Sequence, residues 1–268
     1  MPPLRARAGH FPDDLTSLPY RDAMTVPSPI LDLARPARRV AVLTGAGMSA
    51  ESGVPTFRAA QTGLWADFDA ASLATPKAWN DDPPLVWAWY QWRVGLVLRV
   101  QPNAGHLALA EWGRRAELQI TTQNVDDLHE RAGSAVLAHL HGSLFEPRCA
   151  DCGHGADVPE PPEEPVERLD PPKCRNCSGV VRPGVVWFGE MLPEQPWDAA
   201  TASLRHADLL LVVGTSGVVY PAAGLPSLAR NDGVPVVEIN PEDTDLSDQS
   251  TWYGVRRPQS AYRNWCRR

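Results

Sequence analysis

Two closely spaced cysteine pairs are the residues of this sequence with the clearest chemistry. Cys149-x-x-Cys152 and Cys174-x-x-Cys177 flank a segment rich in proline and glutamate. Paired CxxC sequences allow four thiolates to reach one tetrahedral Zn²⁺, and four sulfur ligands leave no open coordination position. We therefore predict that these four cysteines hold a structural zinc ion, which stabilises a segment that could not fold alone. His154 is close enough to be a rival ligand, but the cysteines already complete the shell.

A glycine-rich turn follows an apolar run near the amino-terminal end of the chain. Residues 39–44 have the β-branched, apolar character of a buried strand, and Gly45, Gly47 and Ala50 then fit the G-x-G-x-x-G/A pattern. In dinucleotide-binding proteins this pattern turns the backbone against a phosphate at the start of a helix, which we expect at 49–53. A glycine turn without a ligand would explain so short a pattern about as often.

The segment after this turn argues against a hydride-transfer enzyme. An ordinary nicotinamide dehydrogenase has a second strand that ends in an acidic residue roughly 20 residues further on, where it holds the ribose hydroxyls. Residues 62–76 contain Asp67 and Asp69, but no β-rich run precedes them. If a dinucleotide is bound, it serves another purpose.

Strands alternate with helices along much of the chain. The predicted strands at 117–122, 136–140, 207–213 and 234–239 alternate with predicted helices at 83–100, 103–115 and 125–132. This alternation predicts an α/β fold with a parallel, doubly wound sheet, which binds ligands at the carboxyl ends of its strands. Polar and glycine residues follow those strand ends, namely Gln123, Asn124, Asp126, His141, Gly214, Thr215, Ser216 and Asn240.

Composition limits the classes of partner. The chain has 268 residues, 43% of them hydrophobic, and a formal net charge of -7, so we expect no nucleic-acid surface. Apolar runs such as 209–213 are far too short to span a bilayer, and residues 1–23 lack the apolar core of a signal peptide. We therefore expect a cytoplasmic protein without a membrane partner. A reducing compartment favours metal-bound cysteines over disulfides.

The same patterns predict the domain organisation. We expect residues 1–27, which are rich in Pro, Arg and Asp, to form a flexible tail. A Rossmann-like domain comprises 28–147 and 183–268, with a helical module at about 60–105. The zinc-binding module is inserted at 148–182.

Five segments together carry a resemblance to a known family. In chain order they are GAGMSAESGVPTFR at 45–58, TQNVD at 122–126, HLHGSLF at 139–145, VVWFGE at 185–190 and VGTS at 213–216. With the cysteine pairs between the third and fourth segments, this order resembles the sirtuin family of NAD-dependent protein deacylases. The resemblance covers roughly residues 28–254 and implies a Rossmann-like NAD domain with a small zinc module.

The resemblance implies that the chain binds NAD and couples its hydrolysis to removal of an acyl group from a protein lysine. Residues 185–189 (Val185, Val186, Trp187, Phe188 and Gly189) would pair with the extended substrate peptide as an added strand. The residues that would bind the cofactor are Gly45, Ala46, Gly47, Ala50, Thr56, Phe57, Arg58, Trp65, Gln123, Asn124, Asp126, Gly214, Thr215, Ser216 and Asn240.

The implied catalytic residues are His141, Asn124 and Asp126. By resemblance, His141 is the general base that takes a proton from a ribose hydroxyl, a task that suits an imidazole with an ordinary pKa of about 6.5. His139 lies two residues away on the same strand face, and the family motif rather than the residue pattern selects His141. Asn124 and Asp126 would orient the ribose and nicotinamide amide, although they could also cap the following helix.

A tyrosine and an arginine predict the acyl preference. Tyr90 and Arg93 lie three residues apart, so they share one face of a helix. Such an arginine could instead reach the surface or pair with a nearby acid. The Tyr-x-x-Arg pair and the small residue Ala74 resemble the class III, desuccinylase and demalonylase-type subgroup of sirtuins. The resemblance implies a preference for succinyl-, malonyl- or glutaryl-lysine, with weaker deacetylation alongside.

Two other functions remain open at this point. A mono-ADP-ribosyltransferase on the same fold would leave ADP-ribose on protein without acyl peptide, and a catalytically silent module would only bind NAD or zinc. The sequence also departs from the family at Gly184, where relatives commonly have His. It departs again in the carboxyl-terminal segment from Tyr253 onward, which does not resemble the usual closing helix.

Overall fold

A computed structural model of the chain describes residues 26–56, 63–250 and 252–255. The strands of this part are β1 (Arg39–Thr44), β2 (Glu117–Thr122), β3 (Val136–His139), β4 (Arg148–Cys149), β5 (Val181–Arg182), β6 (Leu209–Val213), β7 (Val236–Asn240) and β8 (Trp252–Val255).

The helices of the same part connect and cover these strands. They are α1 (Ser28–Ala34), α2 (Ala46–Ala50), α3 (Ala70–Leu73), α4 (Pro76–Asp81), α5 (Pro83–Arg99), α6 (Ala104–Gly113), α7 (Leu128–Arg131), α8 (Glu194–Arg205) and α9 (Leu225–Asn231), with short 3₁₀ turns at Gly63–Trp65, Ala222–Gly224 and Ser247–Gln249.

Six parallel strands form the main sheet in the order β3-β2-β1-β6-β7-β8. The chain starts in the middle, winds outward to β3, and returns through β6 to the other edge, which confirms the doubly wound prediction. Thr44 at the end of β1 is in register with Thr122 of β2 and Val213 of β6. The carboxyl ends of three central strands therefore meet at one level, where the direction of winding changes.

The central strands are buried on both faces, as a parallel sheet with helices on each side requires. Val42 and Leu211 belong to a core cluster that includes Ile30 of α1 and Leu109 of α6. Leu43, one residue along β1, faces the opposite way into a cluster that contains residues of α8 and α9. This alternation explains why the strands read as continuous apolar runs.

A third core cluster lies outside the sheet and joins the helices at 70–99 to the cysteine region. Its fully buried members include Trp65, Trp87 and Trp89, and it also contains Cys149 and Trp187. Helix α5 contributes buried residues around most of its circumference, as its sequence predicts. The residues around 185–189 are thus packed against α5 rather than against the main sheet.

Three local predictions were wrong. The helix predicted at 125–132 contains only Leu128–Arg131, because 123–127 form a loop in which the Thr122 hydroxyl accepts the Asn124 N–H at 3.0 Å. The helix predicted at 49–53 instead spans Ala46–Ala50, with the chain leaving through a left-handed Gly53. Strand β8 was not predicted, because its sequence lies in the segment that departs from the family pattern.

The predictions of a missing strand after β1 and of no membrane span can also be compared with the structure. Among the described residues, no strand lies between β1 and β2, in agreement with the missing acidic strand of a dehydrogenase. None of the helices in these ranges is long and apolar enough to cross a membrane. The predicted tail and most of the carboxyl-terminal segment lie outside the described residues, and the predicted domain limits stay predictions.

Candidate active site and metal centre

The glycine-rich turn and the loop after β6 are in direct contact at the point where the winding changes direction. Gly45 N–H donates to the Val213 carbonyl at 2.9 Å, and Gly47 N–H donates to the Gly214 carbonyl at 2.7 Å. A Cβ atom on Gly214, whose φ is +62°, would lie 2.3 Å from the Met48 nitrogen. These glycines are therefore required by the approach of the two loops, a constraint that acts in addition to any phosphate contact.

Polar side chains connect the ends of three strands across this crevice. Gln123 Nε2, after β2, donates to Thr215 Oγ1 at 3.0 Å, and Asn240 Nδ2, at the end of β7, donates to the Thr215 carbonyl at 3.0 Å. The same Asn240 nitrogen donates to Glu238 Oε1 at 2.8 Å. Because its donors are used inside the protein, Asn240 has its Oδ1 left to accept a hydrogen bond from a ligand hydroxyl. Sequence reasoning missed the buried Glu238 that orients it.

Ser49 of α2 connects the two other polar residues of the predicted site. Asn124 Nδ2 donates to Ser49 Oγ at 3.0 Å, and the Asp126 side chain is also hydrogen-bonded to Ser49. Burial raises the pKa of Asp126, while the hydrogen bonds from Ser49 and Leu128 N–H act in the opposite direction. Leu128 N–H donates to Asp126 Oδ1 at 3.2 Å, but the N-cap position of α7 belongs to Asp127, so the alternative interpretation of Asn124 and Asp126 as N-cap residues was wrong. Sequence reasoning missed Ser49, although it lies in the quoted motif.

The two neighbouring histidines have different hydrogen bonds. His141 Nδ1 lies 3.0 Å from the Gln123 carbonyl, which can only accept, so Nδ1 carries the proton. No other described residue is hydrogen-bonded to the His141 ring, which leaves the lone pair of Nε2 available. His139 is bound through both nitrogens, with Nε2 at 2.7 Å from Glu130 Oε1 and Nδ1 at 3.2 Å from the Asn124 carbonyl.

The environments of these histidines also shift their pKa values in opposite directions. Burial lowers the pKa of His141, and the hydrogen bond to the Gln123 carbonyl offsets only part of that effect. Burial acts the same way on His139, but the hydrogen bond and charge of Glu130 outweigh it and raise the pKa of His139. A neutral His141 with a free nitrogen can act as a base, whereas His139 is occupied in an ion pair.

The segment 185–189 lies against the His141 turn. Val186 N–H donates to the His141 carbonyl at 2.8 Å, and Val185 forms a single antiparallel bridge with Gly142. Phe188 N–H donates to the Ala74 carbonyl at 3.0 Å. The structure thus brings Ala74, His141 and this segment together, although three of its amides, including Trp187 N–H, already donate within the protein.

Tyr90 of α5 contacts the same segment, and Arg93 follows Tyr90 on that helix. The Trp187 indole N–H donates to the Tyr90 hydroxyl at 3.1 Å. Burial raises the pKa of Tyr90, so the phenol stays protonated at neutral pH. The Arg93 guanidinium lies 5.2 Å from the Trp89 ring centre. Burial lowers the pKa of Arg93, while the electrostatic interactions with nearby Tyr90 and Asp126 oppose that shift.

The remaining predicted cofactor residues are less closely connected. Ala46 and Thr56 are half-buried, Ser216 is half-buried beside Thr215, and Ala50 is exposed. Trp65 is fully buried against Phe68 and Trp92, and its indole nitrogen has no hydrogen-bond partner among the described residues. Phe57 and Arg58 lie outside the described residues.

The four cysteine sulfurs form one cluster, with all Sγ atoms within 4.8 Å of one another. Cys149 and Cys177 Sγ are 3.5 Å apart, and Cys152 and Cys174 Sγ are 3.7 Å apart. Four Zn–S bonds of about 2.3 Å in a tetrahedron require S–S separations of about 3.8 Å. The cysteines are therefore positioned to bind a structural zinc ion. Among the described residues, His154 is not part of this cluster.

Replacing Cys174 with serine is expected to release zinc and lower the melting temperature, because a thiolate cluster contributes folding energy to its module. The exposed neighbour His154→Ala is the matched control and should retain about one zinc per chain. Zinc content by atomic absorption and thermal unfolding measure both variants. A purified wild-type protein that is stable without zinc would contradict this assignment.

This chain is similar to proteins of known sequence. The family model described as the Sir2 family matches residues 45–221. A protein of Corynebacterium glutamicum, named an NAD-dependent protein deacylase, is 53% identical over 221 residues, which are 81% of this chain and 86% of that protein. A protein of the same name from Mycobacterium tuberculosis is 56% identical over 215 residues, which are 80% of this chain and 90% of that protein.

Solved structures agree as well. A Sir2 homologue in complex with NAD superposes with a TM-score of 0.84 at 42% identity, over 92% of this chain and 95% of that one. A complex of Sir2 with a p53 peptide and NAD⁺ gives a TM-score of 0.76 at 31% identity, over 88% and 95% of the two chains. The likeness covers nearly the whole described fold.

Proposed function

We propose that this chain, which belongs to the Sir2 family, removes acidic acyl groups from protein lysines in a reaction that consumes NAD. Relatives with 53% and 56% identity are named NAD-dependent protein deacylases, which supports NAD-dependent deacylation as the reaction. The finer proposal concerns the acyl group, for which succinyl, malonyl and glutaryl groups are the candidates.

The crevice at the carboxyl ends of the strands fits NAD through the chemistry of its donors and acceptors. NAD, when bound, supplies a ribose carbon from which nicotinamide can leave, together with ribose hydroxyls. The turn at 45–47 and the loop at 214–216 would hold the phosphates. Asn240 Oδ1 would accept a ribose hydroxyl, and Asn124 and Asp126, fixed by Ser49, would orient the reacting end.

His141 is the proposed general base, and Nε2 is the atom that takes the proton. The Gln123 carbonyl fixes the tautomer by accepting from Nδ1 at 3.0 Å. The lowered pKa keeps the imidazole neutral at physiological pH, so the base is present in its active form.

The pH dependence of the reaction follows from this shift. Protonation removes the Nε2 lone pair, so activity should be lost as the pH falls through the pKa of His141. Because that pKa is lower than its ordinary value of 6.5, the acid limb of kcat/KM should have its midpoint below pH 6.5. An acetyl-lysine peptide is the substrate of choice because its acyl group has no titrating carboxylate. A midpoint above the ordinary value would contradict the assignment.

An acylated lysine in an extended peptide is the proposed substrate. The segment 185–189 lies beside His141, and Phe188 and Gly189 are exposed where a peptide could approach. A related structure was solved with a p53 peptide, which supports the same mode for this chain. The N–H groups of residues 186, 187 and 188 are used internally, so a peptide strand would pair with the other backbone groups of the segment.

The acyl preference is carried by one observation, the contact of Tyr90 with this segment and the charge of Arg93 close to Tyr90. Tyr90 is hydrogen-bonded to Trp187, and Arg93 is the neighbouring positive charge. A guanidinium suits a carboxylate because it offers two parallel, charged hydrogen bonds, whereas an acetyl group offers nothing to pair with it. Ala74 supports the proposal, since this small buried residue accepts the Phe188 N–H through its carbonyl, and a methyl side chain takes less space beside the segment than a larger one would.

Residues 148–182 act as the zinc-binding module, between the two parts of the Rossmann-like domain. The cytoplasm is the proposed location, because a reducing compartment keeps the four thiolates available to the metal.

A panel of peptides with one sequence and different acyl-lysines tests the proposed function. The protein is mixed with NAD, nicotinamide release is followed, and the peptide product is weighed by mass spectrometry. We expect nicotinamide release to depend on the acyl peptide and to yield unmodified lysine, with the highest kcat/KM for acidic acyl groups. ADP-ribose attached to the peptide would contradict deacylation as the reaction. Equal rates of nicotinamide release with and without the acyl peptide would contradict it as well. A higher kcat/KM for acetyl-lysine would contradict the acyl preference.

A further inference from the structure

The hydrogen bond between Trp187 and Tyr90 determines which role the tyrosine hydroxyl can play. Both side chains are buried, and the indole nitrogen lies 3.1 Å from the phenol oxygen. An indole N–H can only donate, so the Tyr90 oxygen is the acceptor in this bond. The hydrogen of the Tyr90 hydroxyl is therefore available for a second partner. Since burial raises the pKa of Tyr90, that hydrogen is retained at neutral pH.

The indole of Trp187 is itself held from two sides. The Arg182 guanidinium lies 3.5 Å from the centre of the Trp187 ring, and the Trp79 ring centre lies 5.6 Å away. Glu190 fixes Arg182 with two hydrogen bonds of 2.6 and 2.9 Å, and it accepts the Trp187 backbone N–H at 2.8 Å. A cation packed on an aromatic face and pinned by a carboxylate leaves the indole little freedom to rotate.

We propose that Trp187 is a positioning residue for acyl selection, because its indole N–H makes the Tyr90 hydroxyl a donor toward the acyl carboxylate. Arg182 and Glu190 hold the indole in the orientation that this requires. The inference rests on the proposed function, since it assigns to Trp187 a part in recognising the acidic acyl group. An acetyl group ends in a methyl and has no acceptor for the Tyr90 hydroxyl. Trp187 therefore favours binding of the succinyl substrate and leaves binding of the acetyl substrate unchanged.

The variant Trp187→Phe removes the N–H donor and keeps an aromatic ring for Arg182. The measured quantity is the ratio of kcat/KM for succinyl-lysine to kcat/KM for acetyl-lysine on one peptide. We expect this ratio to fall about 2- to 10-fold, the effect of one hydrogen bond. In a Tyr90→Phe background the same change should have no further effect, because the phenol hydroxyl through which Trp187 acts is already gone.

Trp87→Phe is the matched control, since it removes the same atoms from the same buried cluster, and no hydrogen bond or ring contact joins Trp87 to Tyr90 or Trp187 in the described structure. It should lower the melting temperature without changing the substrate ratio. A ratio that falls equally in both variants, or falls again in the Tyr90→Phe background, would overturn the inference and assign Trp187 a packing role.

A second variant decides the question if Trp187→Phe does not fold. Glu190→Gln weakens the clamp on Arg182 and should lower the same ratio, whereas an unchanged ratio counts against the inference. The proposed function fails separately, and visibly, if wild type shows no preference for succinyl-lysine or if Tyr90→Phe leaves the ratio unchanged. If Tyr90→Phe lowers the ratio and Trp187→Phe does not, only the role of Trp187 is refuted.

Discussion

Replacing His141 with alanine is expected to lower the deacylation rate roughly 100- to 10,000-fold, the usual contribution of a positioned general base. The change removes Nε2, the nitrogen with an available lone pair, and leaves the contacts between Gly45, Gly47 and Gly214 intact. NAD should therefore still bind. Single-turnover kinetics with an acyl peptide measure the rate, and titration calorimetry measures the affinity for NAD.

His139→Asn is the matched control for this variant. It removes an imidazole two residues away, but one whose nitrogens are occupied by Glu130 and the Asn124 carbonyl. We expect His139→Asn to lower the melting temperature and to reduce the deacylation rate less than His141→Ala does. A His141→Ala protein that keeps more than roughly a tenth of the wild-type turnover would refute the base assignment.

Replacing Arg93 with methionine is expected to reduce kcat/KM for desuccinylation by roughly 10- to 150-fold, since charged hydrogen bonds contribute about 1.5 to 3 kcal/mol. Methionine retains an unbranched apolar stem of similar length to that of arginine and removes the guanidinium. The charge of Arg93 also acts on Asp126, so deacetylation should fall as well, but far less. Steady-state kinetics with succinyl- and acetyl-lysine in one peptide provide the comparison.

Arg99→Met, at the exposed end of the same helix, is the control for a change of charge on α5. It should leave the ratio of the two activities unchanged. If Arg93→Met lowers both activities in equal proportion, Arg93 serves as a structural partner of Asp126. The chain would then be a deacylase without a preference for acidic acyl groups.

The elements that sequence alone predicts are those with a strong local pattern. Strand β1 was predicted with its observed bounds because its five buried residues follow one another. Helix α5 begins at a proline, is capped by Asp82 and is apolar around its circumference. By contrast, α7 is shorter than its apolar pattern predicts, because residues 123–127 are held in a loop by contacts with α2 and with the loop after β6. Such contacts between distant residues are invisible in a local pattern.

In the candidate site, too, local sequence indicates which residues are present, but contacts between distant residues determine their arrangement. Family motifs identify which residues belong to it, but they do not reveal which hydrogen bonds these residues make. The sequence could not choose between His139 and His141 without the family motif, because the partner that occupies His139, Glu130, lies nine residues away. The role of Ser49 and the bond from Trp187 to Tyr90 likewise depend on tertiary packing. Ser49 and Asn124 are 75 positions apart in the chain, and Tyr90 and Trp187 are 97 positions apart.

Direct competition between two substrates tests the central proposal most simply. Wild-type protein is given NAD and equal amounts of succinyl- and acetyl-lysine forms of one peptide, and mass spectrometry follows their disappearance in the same tube. The ratio of the two initial rates equals the ratio of their kcat/KM values. We predict that the succinyl peptide is consumed first. Equal consumption, or faster loss of the acetyl peptide, would contradict the role assigned to Tyr90 and Arg93.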